Sequence, residues 1–194
     1  MKSLRARSAF LIGVIILAPV CALAALQGEN LLVAPLPAGW TQAYAAAGNG
    51  IRLVEYVPAG QKADAWSEMA TIEIFYGRGG TDPRILQQKV VEGVRQNCTA
   101  MHISDLGTGT SSSFPAARWV TYCGQWKQLP NGEITYFQAI SGKDHFYLVQ
   151  RSWRGAPFDI AKPLPIPEAK LKEWETYLNG ISICDSRDPK RPCP

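Results

Sequence analysis

The sequence predicts an α+β protein in which an antiparallel β-sheet is flanked by two main helices, as an α/β/α sandwich. Two segments have the three-and-four apolar spacing of amphipathic helices, and six have the alternation or apolar content of strands. Hairpin-like turns favour an antiparallel sheet, because parallel strands need long crossover connections. The predicted order of elements is β-β-α-β-β-β-β-α.

Two strands are predicted before the first helix. An extended lead-in, LLVAPLPAGW, is followed by the strand IRLVEYVP, which ends at a proline that cannot donate to a strand ladder. The next strand, ATIEIFYG, alternates isoleucine and tyrosine with Thr71, Glu73 and Phe75. This period of two is typical of a strand with two different faces.

The segment TDPRILQQKVVEGVRQNC predicts the first helix. Asp82 is suited to the N-cap, and Pro83 fits the first helical position, where an N–H would have no partner in the helix. Leu86, Val90 and Val94 then fall on one face, as an amphipathic helix requires.

Four strands are predicted between the two helices. The turn SGKD before the last of them predicts a hairpin. The polar stretch GTGTSSSF is predicted to be a flexible surface loop, since no phosphate-binding pattern follows it. The four strands are TAMHISDLG, ARWVTYCGQWK, EITYFQAI and HFYLVQRSW.

The second helix is predicted to begin near Pro167, after the proline-rich loop PFDIAKPLPIP. Its apolar residues recur at intervals of three and four, which gives one buried face. These residues are Leu171, Trp174, Leu178 and Ile181. Trp119 and Trp174 both lie in apolar periods and are predicted core residues.

The N-terminus has the pattern of an export signal. A basic start precedes an uninterrupted apolar run from Ala9, and Ala22-Leu23-Ala24 supplies the small residues that signal peptidase requires. We therefore predict a signal peptide over residues 1–24 and a single α+β domain over residues 25–194. The mature protein is expected in the periplasm or the medium, without a stable membrane span.

Two alternatives to cleavage are a retained N-terminal anchor and a lipid on Cys21. A membrane anchor needs about 20 apolar residues, and Pro19 interrupts this run. Lipid modification needs a small residue before the cysteine, where Val20 stands. Both features favour cleavage.

The charge of the mature protein disfavours two classes of partner. The whole chain carries a formal charge of +4. The leader holds three of the bases and no acid, which leaves the mature domain near +1. A nearly neutral domain has no electrostatic reason to bind nucleic acid or anionic lipid.

Four cysteines remain after cleavage, and they are Cys98, Cys123, Cys184 and Cys193. An even number of cysteines in an oxidising compartment predicts two disulfides. Three pairings are possible, and we favour 98–123 and 184–193 because they are the most local. The second pair would fix the end of the chain on the final helix. No metal or other cofactor is predicted, since Cys-x-x-Cys is absent and only two histidines occur.

Several stretches resemble an uncharacterised family of small exported bacterial proteins. They are EYVPAGQKADAWSEMATIEIF, FYLVQRSWR and the ending LNGISICDSRDPKRPCP. The resemblance implies export and paired cysteines, and it implies no particular activity. The order of elements also resembles the PsbP-like fold, an antiparallel sheet between helices whose members mostly bind or assist other proteins. That second resemblance is a likeness of fold, which does not by itself determine function.

The sequence completes no catalytic template. The hydrolase elbow Gly-x-Ser-x-Gly is absent, and we interpret Asp144, His145 and His102 as solvated polar residues. Glu55 and Glu73 could face each other across two strands, but so could many other pairs of surface carboxylates. We predict a non-enzymatic exported protein that binds a protein or an envelope component. The alternative is a secreted hydrolase of a type not recognised from its motifs.

Four residues are predicted to form an exposed or half-exposed binding face, because tryptophan and arginine are frequent anchors of protein interfaces. They are Trp66, Arg151, Trp153 and Arg154. The period of two places Arg151 and Trp153 on one side of a strand, and the loop before ATIEIF can bring Trp66 nearby. The competing interpretation is that the two indoles cover separate edges of the sheet.

Overall fold

A computed structural model describes residues 27–194. The predicted signal peptide and Cys21 lie outside the described residues. The helices are α1 (Pro83–Asn97) and α2 (Glu168–Asn179). The strands are β1 (Glu29–Leu32), β2 (Trp40–Gly48), β3 (Ile51–Pro58), β4 (Glu68–Phe75), β5 (Met101–Ser111), β6 (Phe114–Cys123), β7 (Gly132–Ser141), β8 (Phe146–Gly155) and β9 (Ser182–Asp185).

Seven strands form one antiparallel sheet in the order β2-β3-β4-β8-β7-β6-β5. The predicted α+β class, with an antiparallel sheet and two helices, is confirmed. The prediction missed β1, β2 and β9. It was also wrong for GTGTSSSF, because most of this stretch continues β5 and turns at Ser112 and Ser113, which both have positive φ.

Side chains alternate along the central strands, so the sheet has an apolar cluster on each of its two faces. One helix covers each face. On the α2 face, the Trp174 indole is fully buried and meets the Tyr136 ring edge-on, 5.9 Å between centroids. On the α1 face, the Trp119 and Phe137 rings stack at 4.8 Å. Both predicted core tryptophans, Trp119 and Trp174, are thus buried.

Both helices begin where their sequences predict. The Asp82 carboxylate accepts a hydrogen bond from the Arg84 amide at 2.9 Å, so it caps α1. Pro167 directly precedes α2. α1 packs over β5, β6 and β7. On the same face, β3 and β4 lie beyond the strands that α1 covers.

The end of the chain is fastened to its beginning. β9 pairs with β1, and the Cys184–Cys193 disulfide closes the loop that follows β9. The Arg187 guanidinium bonds the Asp185 carboxylate and lowers its pKa to about 2. The tail is therefore clasped to β1, whereas the sequence predicted a clasp on the final helix. The difference arises because α2 ends at Asn179, before the clasp begins.

Candidate functional site

Both predicted disulfides are present. Cys98 and Cys123 are bonded with their Cα atoms 5.7 Å apart, and Cys184 and Cys193 with theirs 4.9 Å apart. The first disulfide joins the residue after α1 to the last residue of β6. It therefore fixes the C-terminal end of the helix on the sheet.

Hydrogen bonds extend this connection into the loop that joins β6 to β7. The Thr99 amide donates to the Gln125 carbonyl at 2.9 Å, and the Lys127 amide donates to the Asn97 carbonyl at 2.8 Å. The Lys127 ammonium also donates to the Gln96 carbonyl at 2.7 Å. The loop over residues 124–131 is thereby held against the end of α1.

An open cavity of about 590 Å³ lies between α1 and this loop. We call it the aromatic groove. Its walls are largely apolar, and its lining side chains come from α1, the loop and the adjoining strands. The lining residues are Val90, Gly93, Val94, Asn97, Trp126, Gln128, Leu129, Glu133 and Arg154.

Three features of the groove suit it to a ligand. The Leu129 side chain is 45 % exposed although it is apolar. Gly93 has no side chain, and a Cβ placed there would meet no atom within 4 Å. The Trp126 Nε1–H is buried and has no hydrogen-bond partner among residues 27–194. A buried donor without an acceptor is costly, so an acceptor supplied by a ligand would be favourable there.

One end of the groove carries a charged pair under an indole. The Arg154 Nε and Nη2 atoms donate to one carboxylate oxygen of Glu133 at 3.1 and 2.9 Å. The Arg154 guanidinium carbon lies 3.9 Å from the centre of the Trp66 ring. Such a cation–π contact holds both side chains in place. The Gln61 Oε1 atom accepts a hydrogen bond from the Ser67 amide at 2.7 Å, which fixes the loop that bears Trp66.

Two carboxyl groups lie beyond this pair, on the part of the α1 face that the helix does not cover. Burial raises the pKa of Glu55, and the nearby Arg154 partly opposes this shift. Burial also raises the pKa of Glu73, a hydrogen bond from Gln150 opposes the shift, and the charge of Glu55 adds to it. The strand register places the two acids on one face as diagonal neighbours. The two acids therefore share a face, and each lies two residues along its strand from the position directly opposite the other.

The four residues of the predicted binding face do not lie together. Trp66 and Arg154 meet on the α1 face, as described above. Arg151 and Trp153 lie on the α2 face, where the Trp153 indole packs beside the Phe158 ring. The predicted exposure of Arg151 is wrong: this side chain is 1 % exposed, because α2 covers that face of β8.

The groove residues Trp126 and Leu129 were missed at the sequence level. The stretch around Trp126 was interpreted as the end of a strand, whereas β6 ends at Cys123. A usable signal was present, since QWKQLPNG places two large apolar residues in a polar stretch before a turn. A single exposed apolar residue is ordinary, whereas two close together in one loop favour a shared apolar surface.

The remaining candidate residues make structural contacts. The His145 Nδ1 atom accepts from the Gly77 amide at 3.2 Å, and Asp144 pairs with Arg187. The His102 ring packs beside the Tyr122 ring. Within residues 27–194, no group of three or more acidic, histidine or cysteine side chains is placed to hold a metal ion. No helix in that range combines the length and apolar content required to cross a bilayer.

No protein-family model matches the chain, and no curated protein sequence matches it. Two solved structures align over most of its length. LpqN of Mycobacterium tuberculosis, described as involved in cell envelope biogenesis, covers 83 % of this chain and 87 % of its own, with 10 % identity and a TM-score of 0.41. The Ran-binding protein Mog1p of Saccharomyces cerevisiae covers 78 % and 85 %, with 11 % identity and a TM-score of 0.40. Similarities at this level do not support a functional assignment.

Proposed function

We propose that this chain is an exported, non-enzymatic binding protein that holds a polypeptide segment of a partner in the aromatic groove. The observation that carries the proposal is that Trp126 lines an open apolar groove while its buried Nε1–H has no acceptor among residues 27–194. A peptide carbonyl is the acceptor that a polypeptide offers at every residue. An apolar side chain of the same segment would cover Leu129 and Val90.

The charged end of the groove favours a polypeptide over an anionic or strongly cationic ligand. Glu133 and Arg154 neutralise each other at 2.9 Å, so this end presents a hydrogen-bonded pair and the indole of Trp66 rather than a net charge. Tryptophan and arginine anchors beside an apolar pocket are typical of protein-binding sites. A glycan of the envelope would instead require many more hydrogen-bonding groups than these walls provide.

Export is the second part of the proposal. Two disulfides persist most readily in an oxidising compartment, and this agrees with the leader predicted over residues 1–24. We expect the protein isolated from its native cell to begin at Ala25, with its four remaining cysteines paired. Intact-mass measurement before and after reduction tests both points. A mass that includes the leader, or a lipid on Cys21, would contradict the expectation.

Site-specific cross-linking in the native cell tests the groove. A benzoylphenylalanine at position 129 is expected to form a covalent adduct with a polypeptide, because Leu129 lies in the wall of the groove. Gly93→Leu should abolish the adduct, since its side chain would occupy the groove. This substitution should not unfold the protein, because leucine is favoured over glycine inside a helix by about 0.8–1 kcal/mol.

Two matched controls accompany this experiment. Position 106 is as exposed as position 129, at 45 %, and lies on β5 away from the groove, so a cross-linker there should capture no polypeptide. Gln88→Leu adds the same side chain at an exposed position of α1 outside the groove and should leave the adduct intact. An adduct that survives Gly93→Leu would overturn the proposed site. An adduct with a lipid or a glycan would show that the ligand is not a polypeptide.

A further inference from the structure

A second cavity, of about 310 Å³, lies on the α2 face and is separate from the aromatic groove. It opens between β5 and the segment that follows α2. We call it the Gln138 cavity. Its principal lining residues are Gly109, Ala116, Arg118, Gln138, Asn179 and Ser182. Its volume falls at the lower end of the range of about 300–1,000 Å³ that small-molecule sites occupy.

Small residues at three neighbouring positions leave this space open. The three residues are Gly107, Gly109 and Ala116, which all line the cavity. A Cβ at Gly107 or Gly109 would meet no atom within 4 Å. The pairing of β5 with β6 shifts register between Asp105 and Gly107, and the φ angle of Gly107 is +95°. This shift is a β-bulge, which bends the strand.

The mouth of the cavity is held by contacts between β5 and the chain after α2. The Ser111 hydroxyl donates to the Ile181 carbonyl at 2.9 Å. The Ser112 hydroxyl accepts from the Ile183 amide at 3.0 Å. These two bonds keep the cavity walls together while leaving its interior unfilled.

Gln138 is a polar residue at a core position. It interrupts an apolar series on β7 formed by Ile134, Tyr136 and Ile140, which share its face. Its side chain is 4 % exposed, and its Oε1 atom has no hydrogen-bond partner among residues 27–194. A buried amide without a partner is unfavourable, and here it borders an open cavity. A ligand hydroxyl in the cavity would satisfy it.

Arg118 supplies the only positive charge among the residues that line the cavity. It pairs directly with Gln138 across β6 and β7. Its guanidinium bonds the Asn179 side chain, and none of the ion pairs within residues 27–194 includes it. The other polar groups of the lining are hydroxyls, amides and backbone groups, which carry no net charge.

We propose that the Gln138 cavity binds a small hydroxylated carboxylate, of the sugar-acid class. The single guanidinium of Arg118 matches a single carboxylate, for which arginine provides directed, charge-assisted hydrogen bonds. The Gln138 amide and the surrounding hydroxyls match the hydroxyl groups of such a ligand. This site is independent of the aromatic groove, and neither proposal rests on the other.

Titration of the intact protein with D-glucuronate, followed by NMR chemical shifts, tests the proposal. We expect saturable shifts of the Gln138 side-chain amide and of the backbone around Gly109. D-glucose has similar hydroxyls and no carboxylate, so it should bind at least about tenfold more weakly. Arg118→Met should remove most of this preference for the charged sugar.

A pair of matched variants distinguishes cavity binding from a general effect. Gly109→Val places a side chain in the open space and should weaken glucuronate binding by about tenfold or more. Gly48→Val makes the same change on β2, where the space is also open and the residue lines neither the Gln138 cavity nor the aromatic groove, so binding should be unchanged. Valine is well tolerated in strands, so both variants should fold.

Three results would overturn the assignment. The first is the lack of saturable shifts at millimolar glucuronate in the unsubstituted protein. The second is equal binding by Gly109→Val and Gly48→Val, which would place the ligand outside the cavity. The third is equal binding of glucose and glucuronate, which would remove the role given to Arg118.

Discussion

Arg151→Ala is expected to lower the free energy of unfolding by about 3–5 kcal/mol. The guanidinium is 1 % exposed and lies at the centre of the α2 face. Three aromatic rings surround it, with centroids 4.8, 5.6 and 5.0 Å from its central carbon, and they belong to Trp40, Trp174 and Tyr177. The side chain therefore joins β8 to α2 and to the start of β2.

Two effects add up in this substitution. Alanine leaves a cavity among the aromatic rings, and large-to-small changes in a core are strongly destabilising. It also removes one of the two cations that balance Glu68 and Glu173, whose oxygens lie 3.8 and 3.7 Å from Arg151 Nη2; the other cation is Lys170. Burial lowers the pKa of Arg151, and the nearby Tyr177 and the two carboxylates oppose this shift.

Arg151→Met is the matched control for these two effects. Methionine keeps most of the volume and removes a buried charge whose Nε and Nη2 atoms have no hydrogen-bond partner within residues 27–194. Both substitutions remove the same cation, and Lys170 still pairs with Glu68 and Glu173 at 3.5 and 3.1 Å, so the lost volume accounts for most of the difference between them. We therefore expect methionine to cost less than half as much as alanine in urea unfolding followed by tryptophan fluorescence.

Two results would contradict this account of Arg151. If alanine lowered the free energy of unfolding by less than about 1 kcal/mol, the guanidinium would not hold α2 in place. If Arg151→Met abolished cross-linking from position 129 in a fully folded protein, the buried face would take part in binding. We expect that cross-linking to be unchanged, because Arg151 and the aromatic groove lie on opposite faces of the sheet.

The helices and most strands could be predicted because their signals are local. Asp82 and Pro83 determine the start of α1 through capping and a fixed φ, and neither depends on the rest of the fold. In contrast, β1 and β9 have only four residues each, and they exist because the two ends of the chain pair with each other. A pattern within either segment alone carries no information about that pairing.

The same distinction explains the outcome for the candidate site. Arg151 and Arg154 are separated by three positions, so the period of two puts them on opposite sides of β8, which the prediction of one shared binding face overlooked. The sequence does not show which side α2 covers, and that contact decides which arginine is exposed. Trp126 reaches the groove through the Cys98–Cys123 disulfide and a β-bridge between Cys98 and Trp126, which are long-range connections.

Glu29→Ala is expected to lower the free energy of unfolding by about 3–5 kcal/mol, because one buried carboxylate organises a whole turn. The carboxylate accepts from the amides of Lys143, Asp144 and His145 at 2.6, 3.3 and 3.1 Å. It also accepts from the Tyr147 hydroxyl at 3.0 Å. Alanine would leave the buried Tyr147 hydroxyl without its acceptor, at a cost of about 1–3 kcal/mol, and would also remove the acceptor of three part-buried amides.

Glu29→Gln keeps the shape of the side chain and changes only its capacity to accept hydrogen bonds and its charge. Glutamine fits the same space but has one acceptor oxygen in place of two, so we expect an intermediate loss of about 2–3 kcal/mol. Glu92→Gln makes the same change at an exposed position of α1 and should alter stability by less than about 0.5 kcal/mol. Urea unfolding gives the losses, and amide hydrogen exchange at residues 143–145 should accelerate only in the Glu29 variants.

Unchanged exchange at these three amides would show that the carboxylate does not hold the turn between β7 and β8. The expected loss also bears on where the leader ends. Cleavage after Ala24 leaves Glu29 in the mature chain, where β1 can pair with β9. A mature protein that began beyond Glu29 would lack this carboxylate and should be destabilised at least as much as Glu29→Ala. The N-terminal residues of the mature chain are thus expected to be required for a stable fold.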